Sequence, residues 1–454
     1  MSDTRSNVLY TWYGDDFTGS TDVLERLGLA GVPAVLFTVL PDENDLAAFA
    51  ACRAIGMAGE SRSRSPEWMK EHLPAVYARM RQMGAAINHY KVCSTFDSAP
   101  DVGNIGCALE LGMKAFGRSF APVVVGAPHL GRWVAFGNLF AADRGEVYRI
   151  DRHPNMRNHP VTPMHEGDLR MHLERQTPVP KGLVDLAAFQ SGRSRERLEE
   201  EMARGARAIV FDGVDQATLA ETGRMLEELA AQEPLFAVGS SGLTYGLLEA
   251  WRTAGLIAPA PELKAPKTVD RLLVLCGSCS PVTARQIMWA QQNGFAHWLI
   301  EPETDWEHVR REVLQALAES RSVVLYTAIG PQEKTNRYGA DFSARLGEEL
   351  RELLVASGVR RVTVAGGDTS THAVQQLGLR ALTFAAPLTP GAPLCTGHAK
   401  GSGLDGLELV LKGGQMGPES FFAWVRDGHC MPRTCIASSE PADTVTALPH
   451  SSRE

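Results

Sequence analysis

The sequence predicts an α/β protein of two domains, each a mainly parallel sheet flanked by helices. Three observations carry that expectation. Short apolar, β-prone runs alternate with helical patterns along the chain, the signature of parallel strands joined by crossover helices. Many of these runs end in glycine-, hydroxyl- or carboxylate-rich turns that open the next helix. The length, 454 residues, suits two or three domains with cores of their own. A proline-rich stretch, Ala258-Pro-Ala-Pro-Glu-Leu-Lys-Ala-Pro-Lys267, reads as the linker between two halves. The expected domains are therefore residues 1–257 and 268–434, joined by 258–267 and followed by a flexible polar tail at 435–454.

Bulk properties narrow the partners. The formal net charge is −8 and no Lys/Arg-rich block occurs, which argues against nucleic acid or an anionic membrane. No apolar run approaches the roughly 18 residues of a transmembrane helix, and the first residues lack a signal peptide's apolar core. Eight scattered cysteines do not make a disulfide framework and point to a reducing cytoplasm.

The first strand covers residues 8–13 and ends in Gly14-Asp-Asp-Phe-Thr-Gly-Ser-Thr-Asp22. A helix should follow, with Thr18 or Ser20 as N-cap and Val23, Leu24 and Leu27 facing inward. Asp15 and Asp16 stand at the C-terminal end of a strand, the edge where open α/β sheets bind ligands. One can accept a substrate's hydroxyl proton while the other orients it or holds a metal's water. A cap plus a solvated turn is the plainer alternative.

Further strands are expected at 34–40, 54–58 and 87–93. Between them Ser61-Arg-Ser-Arg-Ser-Pro66 reads as a loop entering a helix; its two arginines could meet an anion, but a solvated loop is the plainer reading. Lys91-Val-Cys-Ser-Thr-Phe-Asp97 closes a strand and supplies a cation, two hydroxyls and a carboxylate. Lys91 beside Ser94 and Thr95 can grip a small carboxylate by charge-assisted hydrogen bonds, with Asp97 as neighbour; an exposed edge lysine is the alternative. The strand at 123–127 leads to Arg132, suited either to a bidentate carboxylate contact or to the surface. His153, His159 and His165 fit no compact metal motif. Strands at 183–186, 208–213 and 235–239 complete the first sheet.

After the linker a strand at 271–276 runs into Gly277-Ser-Cys-Ser-Pro281, with Ser280 as cap and Pro281 in the first helical turn. Cys276 and Cys279 are a lone C-x-x-C and read as neither zinc nor redox pair; Ser278 and Ser280 read as nucleotide ligands. Strands at 297–300 and 323–327 follow. In Arg361-Val-Thr-Val-Ala-Gly-Gly-Asp-Thr-Ser-Thr-His372 a buried strand breaks at Gly366 and Gly367, and Asp368 and Thr369 begin the capping run of a helix. Strand, glycine turn and helix N-terminus together make an anion site, although an ordinary well-capped turn has the same pattern. Asp368 suits Mg²⁺, because carboxylate and phosphate repel unless a cation lies between them. A strand at 407–411 enters Lys412-Gly-Gly-Gln-Met-Gly417, where Gly413 and Gly414 permit close approach to a nucleotide with Lys412 near phosphate; a flexible turn is the alternative. Gly401-Ser-Gly-Leu-Asp-Gly406 matches G-x-G-x-x-G literally but is followed by a strand, not a helix, so it is no dinucleotide fingerprint. Walker, nucleophile-elbow and H-E-x-x-H motifs are missing from the sequence.

Read from residues alone, the chain is a phosphotransferase for a small acid. The ordered set of motifs also resembles the four-carbon acid sugar kinases over nearly the whole chain. Gly14-Asp-Asp-Phe-Thr-Gly19 is similar to that family's N-terminal signature, Lys91 through Thr95 to its lysine-to-Ser-Thr segment. Gly277-Ser-Cys-Ser280, Gly366-Gly-Asp-Thr369, Pro390-Gly-Ala-Pro393 and Lys412-Gly-Gly-Gln-Met-Gly417 resemble its C-terminal signatures. The resemblance implies a sugar-acid domain, an ATP domain, an active site in the cleft between them, and phosphorylation of a terminal hydroxyl of an aldonate or 3-oxo-aldonate. It implies that Asp15, Asp16, Lys91, Ser94, Thr95 and Arg132 face the acid. Ser278, Ser280, Gly366, Gly367, Asp368, Thr369, Gly413 and Gly414 would face ATP, with Mg²⁺ neutralising its phosphates and Asp16, or else Asp15, as base. The chain departs from the family at Cys93-Ser-Thr-Phe-Asp97, where an arginine is usual in place of Asp97. It also has Gly413 and Met416 where serine and phenylalanine are common. The altered substrate segment points to a branch acting on branched or 3-oxo acids such as 3-oxo-isoapionate. A homodimer is compatible with this reading. The rivals are a small-acid and nucleotide sensor without turnover, which would not set two carboxylates beside an anion, and an NAD-dependent oxidoreductase, which lacks its fingerprint.

Overall fold

The computed structural model describes residues 7–143, 145–159, 161–330 and 340–430, apart from the side chains of Ala340, Gly367, Asp368, Ser370 and His372. The first half contains β1 (Tyr10–Gly14), α1 (Phe17–Leu29), β2 (Ala34–Phe37), α2 (Glu43–Ala48), β3 (Ala54–Ala58), α3 (Pro66–Gln82), β4 (Ile87–Lys91), α4 (Ile105–Phe116) and β5 (Ala121–Val124). It continues with β6 (Arg132–Ala135), β7 (Asn138–Asp143), β8 (Glu146–Arg149), α5 (Leu169–Glu174), β9 (Lys181–Val184), α6 (Leu186–Gln190) and α7 (Ser194–Ala203). It ends with β10 (Ala208–Phe211), α8 (Gln216–Ala230), β11 (Leu235–Gly239) and α9 (Ser241–Thr253). The second half holds β12 (Leu273–Cys276), α10 (Pro281–Gln292), β13 (Ala296–Leu299), α11 (Trp306–Ala318), β14 (Val323–Tyr326), α12 (Ala340–Ser357) and β15 (Arg361–Ala365). Then come α13 (Gly367–Leu377), β16 (Ala381–Thr389), β17 (Ala392–His398), β18 (Glu408–Lys412) and α14 (Phe421–Asp427).

The architecture is the α/β one expected. In the first half β2-β3-β1-β4-β11-β5-β10-β9 run parallel, and in the second β13-β14-β12-β15-β18 do so. These central strands read as continuous apolar runs because helices cover both faces: all five residues of β1, β11 and β15 are buried. The two sheets are not separate, however. The antiparallel hairpin β16–β17 adds to β18 on one side and to β2 on the other, making one sheet of 15 strands. At the seam Ala381 pairs Phe37 and Leu382 pairs Leu36, the Thr38 hydroxyl donates to the Leu379 carbonyl, and Arg380 grips Asp45 at 2.9 and 2.5 Å. The hairpin thereby covers the open edge of β2.

Two capping expectations are corrected: α13 starts at Gly367 with Gly366 as its cap and no side-chain cap bond, so Asp368 and Thr369 lie inside the helix rather than capping it. The N-cap of α1 is Asp16, not Thr18 or Ser20: the helix starts at Phe17, and the Asp16 carboxylate accepts the Gly19 N–H. A carboxylate at that place also suits the helix dipole. Residues 132–149 form a separate antiparallel sheet, β6-β7-β8, turning at Phe136 (φ 51°) and Gly137 (φ 78°), a left-handed pair characteristic of tight hairpins. Val23, Leu24 and Leu27 face the core from α1 as expected. That helix packs against α9 of its own half and against α13, β16 and β17 of the other. Among the described residues no helix is long and apolar enough to cross a membrane.

Candidate functional site

The end of β1 delivers Asp15 and Asp16 side by side to the entrance of α1. Asp16 is held by three donors: Gly19 N at 2.7 Å, Thr18 Oγ1 at 2.8 Å and Arg62 Nη1 at 2.7 Å. Asp15 takes a bidentate contact from the same guanidinium, Nη2 at 2.6 Å and Nε at 3.1 Å. Arg62 is therefore not part of a solvated loop. Its backbone N–H donates to the Asp15 carbonyl at 3.0 Å, and neighbouring Ser61 bonds the Tyr90 hydroxyl at 2.8 Å, docking the loop onto the strand ends. Burial pushes the Asp15 carboxyl up to about 6, against the pull of Arg62. A cation was needed wherever two carboxylates were to be buried together, and that requirement is the one signal in the sequence that could have found Arg62.

Lys91, at the end of β4, lies opposite Gly14 and is buried. Its ammonium is 3.8 Å from Asp22 and would be 3.1 Å from a Cβ at Gly19, so small size at position 19 lets Lys91 and Asp16 converge. Burial raises the Asp22 carboxyl, but Lys91 and Arg26 outweigh it and hold it below the usual range. The Arg26 guanidinium lies 4.8 Å over the Tyr245 ring, whose other neighbour is the ring of His129 at 3.5 Å. Asp22, Arg26 and His129 escaped the sequence reading; Asp22 and Arg26 sit one helical turn apart beside the apolar stripe of α1.

The turn after β4 is tight. Phe96 is buried with φ of 55°, a conformation costly for a bulky residue, and it aims Asp97 inward. Asp97 accepts Thr95 Oγ1 at 2.5 Å and Thr162 Oγ1 at 3.1 Å. His159 Nδ1 accepts the Thr162 N–H at 3.0 Å. Burial raises the Asp97 carboxyl, and Arg62 foremost among its neighbours brings it below the ordinary value. Ser94 is half-buried on this turn. Arg132 stands apart from the cluster, its Nη1 donating to the Leu130 carbonyl at the root of β6.

In the second half β12, β15 and β18 lie side by side with Cys276, Ala365 and Lys412 in register, so three loops emerge together. Gly366 has φ of 120°, open only to glycine, and a Cβ there would stand 3.1 Å from Ser278 N. Thr369 Oγ1 occupies the space beside Gly277, 1.8 Å from where a Cβ would be. Gly414 likewise abuts the Ser278 hydroxyl, at 2.6 Å from its own missing Cβ. Ser280 caps α10 through Val282 N at 3.2 Å. The three loops thus meet closely at the N-termini of α10 and α13, a kind of place suited to an anion. Gly413 continues the same loop. Gly367 begins α13, while the side chain of Asp368, the expected Mg²⁺ ligand, lies outside the described residues. Among the described residues no group of three or more His, Cys, Asp and Glu is placed to hold a metal.

Lys412 anchors its own loop. It is fully buried, and its ammonium donates to Gly413 O at 2.9 Å and Thr283 Oγ1 at 3.1 Å, pinning the glycine loop to α10. Burial lowers it to about 8. Gln286 reinforces the same loop by donating to the Met416 and Pro418 carbonyls, each at 2.9 Å.

Known proteins share this plan. A sugar-binding N-terminal domain matches residues 10–247, and a nucleotide-binding C-terminal domain matches residues 273–422. A 3-oxo-isoapionate kinase of Paraburkholderia graminis is 42% identical, covering 93% of this chain and 95% of its own. A 3-oxo-tetronate kinase of Pseudomonas fluorescens is 32% identical, covering 93% and 97%. A solved structure from Salmonella typhimurium, 25% identical, superposes with a TM-score of 0.73 over 92% of this chain and 98% of that one. With both domains matched and relatives aligned end to end, the chain belongs to the four-carbon acid sugar kinases, ATP-dependent phosphotransferases acting on sugar acids.

Proposed function

We propose that the protein phosphorylates a terminal hydroxyl of a small 3-oxo sugar acid, with 3-oxo-isoapionate as the leading candidate. The observation that carries this reading is the packing of α1, capped by Asp16, against α13, the helix that springs from the Gly366 turn. One helix starts at a clamped carboxylate pair and the other at a phosphate cradle. Ser278, Ser280, Gly366, Gly367, Thr369, Gly413 and Gly414 would hold the phosphates of ATP, and Asp368 its magnesium. The metal, when bound, would supply charge neutralisation at the phosphates. Lys91 and Arg62 would attract the acid's carboxylate, with Ser94 and Thr95 beside it. Asp97, already ionised, suits a hydroxyl donor of the substrate rather than its carboxylate. Asp16, with more solvent access than Asp15, takes the alcohol proton, and Asp15 holds Arg62 in place.

The test is ADP release with Mg-ATP against erythronate, threonate, their 3-oxo forms and 3-oxo-isoapionate. Release dependent on a 3-oxo acid is expected. Silence across the panel with ATP still bound would end the substrate assignment, and no ATP binding would end the reading of the Gly366 turn. The pH profile offers a second check. Asp15 holds Arg62 only as a carboxylate, so its protonation through about 6 loosens the clamp and lowers activity from the acid side. We expect kcat/KM to fall with the ionised fraction of Asp15 below that pH; a flat profile down to pH ~5 would show that the Asp15 charge is dispensable.

A further inference from the structure

We propose that Glu25 is a positioning residue that couples the acid site to the nucleotide loops, a role that rests on the kinase reading above. Glu25 lies on α1, nine residues past the Asp16 cap, and its carboxylate is buried. Its Oε2 accepts the backbone N–H of Gly391 at 2.7 Å, across the boundary between the two halves. Arg26 Nη2 is 3.5 Å from the same oxygen. Gly391 turns the β16–β17 hairpin with φ of 79°, and a Cβ there would stand 3.0 Å from the Met416 methyl. Met416 in turn reaches within 3.7 Å of a Cβ placed at Gly413, next to the Gly414 that abuts Ser278. A continuous chain of contacts thus runs from the acid-side helix through one hairpin turn to the loop proposed to hold phosphate.

A buried carboxylate is an expensive way to fill space, since an apolar side chain of equal volume would pack there without desolvating a charge. What it provides is a directed acceptor for one particular N–H. Shifting α1 when the acid binds would move that acceptor, and the Gly391 turn and Met416 with it. The coupling is reciprocal, as linkage requires.

The experiment measures Mg-ATP affinity by calorimetry on the full-length protein, with steady-state kinetics alongside and thermal melts to establish folding. Glu25→Ala should weaken ATP binding about tenfold, although Glu25 touches no proposed ATP ligand, whereas Glu25→Gln, which keeps an acceptor oxygen, should stay within about threefold of wild type. Gly391→Ala, which presses a methyl on Met416 and leaves α1 intact, should reproduce the loss. A folded Glu25→Ala with wild-type ATP affinity overturns the proposal, even if its kcat falls. Should Glu25→Ala not fold, an unchanged ATP affinity in Gly391→Ala overturns it instead. Wild-type protein that binds ATP but turns over no acid would count against the substrate class alone, and this measurement would still decide the role of Glu25.

Discussion

Asp16→Asn should lose turnover by about 10²–10⁴-fold while ATP affinity and the fold are retained. Asp16 has jobs of different kinds, and the substitution separates two of them. As N-cap of α1 it accepts the Gly19 N–H, and asparagine caps a helix about as well as aspartate. As base it must accept a proton, which an amide cannot do. The substitution keeps the first job and deletes the second; it also removes the charge facing Arg62, which Asp15 still holds by two bonds. Kinetics on the accepted acid, with a melting curve and an ATP titration on the same preparation, measure all three quantities. Turnover within about tenfold of wild type would move the base elsewhere, Asp15 being the next candidate.

Arg62→Met should be the most damaging substitution in the acid site. It removes the shared partner of Asp15 and Asp16 and the strongest stabilising neighbour of Asp97, leaving carboxylates buried together without their cation. Removing one partner of a buried pair costs about 3–5 kcal/mol. The sign with pH is distinctive. Without the guanidinium the Asp15 carboxyl rises beyond about 6, further above its unfolded value, so its ionised form works against folding at neutral pH and protonation relieves that. The melting temperature of the variant should therefore approach wild type as the pH drops from 8 to 6. A deficit that stays constant or widens on acidification would show that Arg62 acts by packing alone. Activity at neutral pH should fall at least about 100-fold, because Asp15 and Asp16 lose the cation that positions them both.

Much of this molecule was legible because its information is local. Gly366, Ser280 and the apolar stripe of Val23, Leu24 and Leu27 mark element boundaries and faces through backbone conformation and periodicity, which any short window of sequence carries. The family motifs are legible for the same reason: each is a strand end, a turn and a helix start. What escaped depends on pairings across long separations. Arg62 reads as one of two arginines in a serine-rich loop until β1 and β4 place carboxylates beneath it. The bond from the Lys412 ammonium to Thr283 likewise joins residues 129 positions apart. The β2–β16 seam joins residues some 345 positions apart, and nothing in either strand's composition names the other. The cap of α1 was misplaced for a smaller reason: Thr18 and Ser20 are good caps in isolation, and only the strand's end point decides in favour of Asp16.

The seam has a geometric consequence for how the two halves meet. Between β2 and β18 three successive antiparallel pairings reverse the direction of the second half relative to the first. In a flat ribbon the carboxyl ends of β1 and β15 would lie on opposite borders, with the acid and nucleotide loops facing away from each other. Protein sheets are not flat. Six pairings separate β1 from β15, and at roughly 20–25° of rotation each they wind the far strands through about 120–150°. That winding swings the nucleotide border back toward the acid border. Coiling of one continuous ribbon is thus what offsets the reversal that the hairpin introduces.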